Sequence, residues 1–155
     1  MIITFCGHSQ FLRKPEYEEM LLNYLEKTVG DKCASVYLGK HGQFDAFSYH
    51  CCKKYKKTHP NVSLVFVTPY LPRISPPSIK EALADGFDEI LYPGLENVPP
   101  KLAILYRNRY MVDQADVIVT YITHPWGGAY TTYLYAVKKG KPIFHLVPFE
   151  KNNHA

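Results

Sequence analysis

The sequence predicts an α/β protein, a Rossmann-like three-layer α/β/α sandwich around a mainly parallel sheet of about five strands. Three observations carry this. Short apolar runs closed by glycine or polar turns alternate with segments of helical periodicity along the 155 residues. The run "VSLVFV" is almost continuously apolar, as expected of a strand buried on both faces. Nothing marks a domain boundary, a repeat or a low-complexity tract, so residues 1–155 read as one domain.

The elements follow in order. "MIITFC" is a first strand, ending in the polar turn "GHSQF". "PEYEEMLLNYLEKTVG" is a helix: Pro15 suits its first position, Met20, Leu21, Tyr24 and Leu25 recur at helical spacing, and Gly30 ends it. "CASVYLG" is a second strand. "FDAFSYHCCKKYKK" is a helix with its lysines near the C-terminal end, where the helix dipole favours them. "VSLVFVTPY" is the third strand and "LPRISPPS" is irregular. "SIKEALADGFDEILYPGLENVPP" supplies a short helix, room for a short strand, and a proline-rich loop. "KLAILYRNRYMVDQA" is a helix, "DVIVTYI" the fourth major strand, "GAYTTYLYAVKKG" a helix closed by Gly140, and "KPIFHLV" the last strand.

Composition narrows the function classes. With 46% hydrophobic and 21% charged residues the chain is an ordinary globular one. The start "MIITFCGHSQ" lacks the charged region and apolar length of a signal peptide. No segment reaches the roughly 18 apolar residues of a membrane span, so no membrane partner and a cytoplasmic location are expected. Four cysteines suit reduced thiols there. Cys51 and Cys52 are adjacent and lack the C-x-x-C spacing of a zinc site; neither a metal nor a cofactor is expected. Cys6 and Cys33, inside apolar runs, read as small core hydrophobes. Thirteen tyrosines favour a pocket or interface with amphipathic walls, or a tyrosine-rich core. The net charge of +4 is mild, and "KKYKK" reads as the solvated face of a helix; both argue against nucleic acid as a partner. A homo-oligomer is compatible with the sequence.

In a doubly wound sheet, ligands bind beyond the carboxyl ends of the strands, so the loops after strands matter most. Three are unusual: Gly7-His8-Ser9, "GKHGQFD" with Gly39, Gly42, Phe44 and Asp45, and "HPWGGAYTT" with Gly127, Gly128, Ala129, Tyr130, Thr131 and Thr132. Glycine lets a ligand approach the backbone, and free N–H groups at a helix start favour an anion. Phosphate is the natural occupant, held by N–H groups from Gly128 to Thr131 and by the threonine hydroxyls. Arg107 and Arg109 precede the fourth major strand. They lie about 200° apart on a helix, so one of the two faces inward and can fork to a phosphate or carboxylate. His8, His41 and His124 lie on the same loops and can titrate near neutrality.

The pattern R-x-x-x-M-x-x-x-x-D in "RNRYMVDQAD", followed by a strand and a glycine pair, resembles the SLOG superfamily. That group includes the Lonely Guy phosphoribohydrolases, the DprA/Smf DNA-processing proteins and the YpsA-like proteins. "LGKHGQFDAF" is similar to its second-strand loop, and "GGAYTTYLYAVKKGKPI" looks closest to the YpsA-like branch. The resemblance implies a Rossmann-like fold that binds a nucleotide or nucleotide-derived ligand. In the phosphoribohydrolases the arginine of R-x-x-x-M and the glutamate of P-G-G-x-G-T-x-x-E serve N-glycosidic cleavage. Arg107 matches the arginine, Thr131 the threonine, and the glutamate falls on Leu134. The deoxyribosyltransferases need a glutamate in G-T-x-x-E; aligned through Gly128 it falls on Thr132. Neither residue can stabilise an oxocarbenium-like centre or activate water. Asp45 either replaces the carboxylate or serves as a helix-start acid; Asp113 and Asp116 are less well placed. The expected function is a sensor or carrier of a phosphorylated nucleotide-derived small molecule. The alternative is an enzyme acting on an N-glycosidic bond, with Asp45 and Arg107 as catalytic residues.

Overall fold

The computed structural model describes residues 1–71 and 75–149. The strands are β1 (Ile2–Gly7), β2 (Ala34–Leu38), β3 (Val62–Val67), β4 (Glu89–Leu91), β5 (Val117–Tyr121) and β6 (Ile143–His145). The helices are α1 (Pro15–Thr28), α2 (Gln43–Lys56), α3 (Pro76–Ala84), α4 (Ala103–Gln114) and α5 (Gly128–Lys138). The strands form one sheet in the order β4-β3-β2-β1-β5-β6, and every neighbouring pair is parallel. The Rossmann-like expectation holds, with six strands where about five were expected. The sixth is β4, in the segment with room for a short strand; it pairs three residues with the end of β3 and is only partly buried. A strand that short leaves no period-2 signal to read.

Packing assigns the layers. Ile3, Phe5, Val36, Leu38, Leu64, Phe66, Val117 and Val119 turn one face of the sheet towards α1 and α2, where Leu21, Leu25, Phe44, Phe47, Cys51 and Tyr55 complete the main core. The alternate residues Cys6, Ile118, Val65 and Val67 face the other layer, with Val112 and Met111 of α4 and Tyr130 and Ala136 of α5. This is the period-2 alternation of a strand buried on both sides.

Pro15 stands at the start of α1 as expected. α4 begins at Ala103, because the preceding Pro100–Leu102 forms a separate 3-10 turn. Cys6 is buried, whereas Cys33 is exposed: it lies in the turn just before β2 rather than inside the strand. At the end of α2, Lys54 pairs with Glu18 at 3.6 Å and Lys56 with Asp88, while Tyr55 between them is buried. Four of the thirteen tyrosines are core: Tyr17, Tyr55, Tyr121 and Tyr130 are buried.

Candidate functional site

From β1 the chain winds outward through β2, β3 and β4, then returns to add β5 and β6 on the other side. The order therefore reverses between β1 and β5, the place where such sheets open a crevice. The three glycine loops follow β2, β1 and β5, three adjacent strands, and so they meet at one edge. A cavity of about 350 Å³ lies there. Its walls are Thr4 to Gln10 from β1 and its loop, His41 and Asp45 from the second loop, His124, Trp126 to Ala129 and Thr132 from the third, and Ile104, Arg107, Asn108, Met111 and Val112 from α4.

Two helices start at this edge with almost the same geometry. The residue before α2 is Gly42, with φ 95° and ψ 177°; the residue before α5 is Gly127, with φ 93° and ψ 174°. Only glycine adopts such a φ without strain. The two ends nevertheless differ. The α2 start is already occupied: the Gln43 N–H donates to the Ser9 carbonyl at 2.8 Å, and the His41 N–H donates to the Asp45 carboxylate at 2.9 Å. A Cβ on Gly42 would come within 2.6 Å of Ser9 Cα, so the first and second loops pack directly on each other. At the α5 start a Cβ on Gly127 or Gly128 would meet no atom within 4 Å. The first-turn N–H groups of Gly128, Ala129 and Tyr130 have no acceptor within the helix, and Gly128 and Ala129 line the cavity.

Arg107 is the inward arginine. It is 2% exposed and borders both this cavity and a second one of about 210 Å³ lined by Lys40, His41, Phe66, Thr68, Pro69, Tyr70 and Ile104. Nη1 donates to the Val67 carbonyl at 2.8 Å and Nε to the Asn108 side chain at 2.9 Å. Nη2 makes no hydrogen bond among the described residues. Burial lowers the pKa of the guanidinium, while the charge of Asp45 opposes that shift. Gly39 makes room for it: a Cβ there would lie 2.9 Å from Arg107 Cζ. Arg109 points elsewhere, its guanidinium between the Tyr106 and Tyr135 rings at 5.4 and 5.3 Å.

Among the described residues, Asp45 is the one carboxylate lining the cavity. Burial raises its pKa, and the His41 N–H and the Arg107 charge act in the opposite direction. His8 is buried, and its Nε2 accepts the Thr123 N–H at 3.1 Å. Burial first, and the neighbouring His124 second, lower its pKa to about 4. It is therefore a neutral ring at physiological pH. The Cys6 thiol donates to the Ala129 carbonyl at 3.1 Å and is pushed up by burial to about 12, which makes it inert as a nucleophile. The rings of His8 and His124 stack at 3.7 Å, and His124 stacks on Trp126 at 4.0 Å.

The structure thus brings Gly7, His8, Ser9, Asp45, Arg107, Gly127, Gly128, Ala129 and Thr132 to one cavity. It leaves five expected residues off the wall. Phe44 is a core side chain, seated against Gly7, where a Cβ would lie 2.2 Å from the ring. The Tyr130 side chain is likewise buried, although its N–H remains a first-turn donor. Gly39 and Gly42 act through packing on Arg107 and Ser9. Thr131 is engaged locally: its N–H and its hydroxyl both donate to the Gly127 carbonyl, each at 3.1 Å. The Thr132 hydroxyl donates to the Gly128 carbonyl at 3.0 Å. The expected donor set of N–H groups from Gly128 to Thr131 therefore shrinks to Gly128, Ala129 and Tyr130.

Sequence reading missed Ile104, Asn108, Met111, Val112 and Trp126 as wall residues. A signal existed for two of them, because spacings of three and four from Arg107 place Ile104 and Met111 on its helix face. Leu134, at one glutamate position, does not line the cavity, whereas Thr132, at the other, does. Among the described residues no group of three or more His, Cys, Asp or Glu can hold a metal ion, and no helix is long and apolar enough to cross a membrane.

No family model and no curated protein matches the sequence. Solved structures match in fold. One is DNA processing protein A from Helicobacter pylori, with a TM-score of 0.63 and 18% identity, covering 98% of this chain and 67% of that one. Another is DNA processing protein A (DprA) from Streptococcus pneumoniae, with a TM-score of 0.63 and 13% identity, covering 96% of this chain and 50% of that one. The chain thus spans about two thirds and one half of their lengths. The Helicobacter pylori structure describes a single-stranded DNA binding mode. This overturns the expectation set against nucleic acid: modest net charge is no ground for exclusion when a protein of this fold binds single-stranded DNA. Over nearly its whole length the chain shares its fold with part of DNA processing protein A, at identities that establish the fold alone.

Proposed function

We propose that this protein binds a phosphorylated, nucleotide-derived ligand in the cavity beyond β1 and β5, as a sensor or carrier. One observation carries the reading: the open start of α5 and the buried guanidinium of Arg107 line the same cavity. The helix end supplies N–H donors and a favourable dipole, and Arg107 supplies a fixed positive charge. The reading includes assignment to the SLOG superfamily and its YpsA-like branch, on the sequence resemblance, with the shared fold in support. A nucleotide within a single strand offers the same phosphate and base, and the DNA-binding mode described for the Helicobacter pylori protein supports including it. A thermal-shift panel of AMP, NAD, ADP-ribose, a short oligothymidylate and the matching nucleosides tests the proposal. Phosphorylated compounds raise the melting temperature and nucleosides do not; equal shifts from AMP and adenosine refute it.

A second reading has its own observation. Among the described residues Asp45 is the one carboxylate on the cavity wall, and burial favours its protonated form. A carboxyl whose protonated form is favoured by burial suits proton transfer to a leaving base when a nucleotide is bound beside it. Mass spectrometry of AMP after incubation separates the two. A carrier leaves AMP intact at the control rate. Release of adenine that is lost in Asp45→Asn establishes the enzyme instead.

A further inference from the structure

Trp126 is the sole tryptophan of the chain and is 64% exposed, although it borders the cavity. One face of the indole rests on His124, at a centroid distance of 4.0 Å and an interplanar angle of 24°. His124 rests in turn on His8, at 3.7 Å and 15°. His8 is buried and fixed by the Thr123 N–H. The three rings thus form a column rising from the core, with the indole as its outer ring. A large apolar ring held flat on a rigid support but left uncovered is a ready stacking surface for another flat ring. It lies next to the helix start: Trp126 directly precedes Gly127 and Gly128, whose surroundings are open.

We infer that Trp126 is the base-binding platform of the site, stacking a nucleobase on the free face of its indole while the phosphate sits at the start of α5. This deepens the proposed function and rests on it. A nucleoside 5′-phosphate carries a flat ring and a phosphate separated by one ribose, and the chain presents a stacking face and an anion site two residues apart. Stacking tolerates any base, because every base has a π face, so the platform selects for the presence of a base rather than for its identity.

The indole reports on itself, because the chain has no other tryptophan. The wild-type protein is titrated with AMP, ribose 5-phosphate and 5′-phosphorylated decathymidylate while tryptophan fluorescence is followed, and affinities are measured by calorimetry. AMP is expected to quench the emission and to bind about tenfold or more tightly than ribose 5-phosphate. Trp126→Ala is expected to lower AMP affinity to the level of ribose 5-phosphate without changing the affinity for ribose 5-phosphate, and Trp126→Phe is expected to retain most of it. Quenching by the oligonucleotide alone assigns the platform to a strand, and quenching by AMP assigns it to a free nucleotide; either supports stacking. An unchanged AMP affinity in Trp126→Ala overturns the inference. If Gly128→Val still abolishes AMP binding in that case, the phosphate site stands and only the platform falls. Failure of all three ligands to bind overturns both.

Discussion

Replacing Gly128 with valine separates a site from a turn. Gly128 is the first residue of α5 and does not have the positive φ of Gly127, so a side chain there meets no backbone strain. Its Cβ would find no atom within 4 Å, so nothing in the fold has to move. Glycine is the poorer helix former, and the exchange should change stability by no more than about 0.5 kcal/mol. The same empty space is where a phosphate must lie to reach the N–H groups of Gly128, Ala129 and Tyr130. Hydrogen bonds to charged groups contribute about 1.5–3 kcal/mol each, so blocking two removes about 3–6 kcal/mol. At 1.4 kcal/mol per tenfold, affinity for AMP should fall by about 100-fold or more. Isothermal titration calorimetry measures the affinity and a thermal melt verifies the fold. A folded Gly128→Val variant that binds AMP within about twofold of wild type would show that the corner is only a turn.

Three further outcomes are expected. Arg107→Ala should weaken AMP binding and also lower stability by about 1–3 kcal/mol, because the buried Val67 carbonyl loses its donor; Arg109→Ala should leave AMP affinity unchanged in the same calorimetric series. The His8 pKa lies at about 4 in the folded protein against an ordinary value of 6.5, so the unfolded chain binds the extra proton first and stability falls as pH drops between those values. The full effect is on the order of 3 kcal/mol, complete above pH 6.5 and lost by about pH 4, and urea midpoints of a His8→Phe variant should lack that slope. Cys33 is exposed, whereas Cys6, Cys51 and Cys52 are buried with raised pKa values, so a thiol reagent should label one cysteine in the native protein and four in denaturant.

The fold was legible because its central strands announce themselves. β3 and β5 are nearly all apolar and are buried on both faces, and each strand or helix is punctuated by glycine, proline or a polar turn. β4 was legible only as room for a short strand after α3, because three residues, one exposed and two half-buried, carry no periodicity. The site was legible as a place, since parallel strands put every strand-to-helix loop at one edge. Its atoms were less so. Spacing shows that Arg107 and Arg109 face opposite ways, but the inward one is fixed only by what α4 packs on, here the β3 end and the Val67 carbonyl. Phe44 sits in a glycine loop by sequence, yet the missing side chain of Gly7 draws it into the core. Thr131 and Thr132 look like phosphate donors, but in the first turn of a helix their hydroxyls reach the carbonyls four residues back. Trp126 lay inside the quoted loop and escaped notice because nothing in the sequence shows that His8 and His124 stack beneath it.

A phosphate held at the start of α5 would be seen in an amide NMR titration. With AMP added to the isotope-labelled protein, the N–H signals of Gly128, Ala129 and Tyr130 should move downfield together, and the Arg107 Nε–H signal should move with them. Adenosine should leave all four in place. Saturable AMP binding that leaves these signals unmoved and shifts others instead would place the phosphate away from the start of α5.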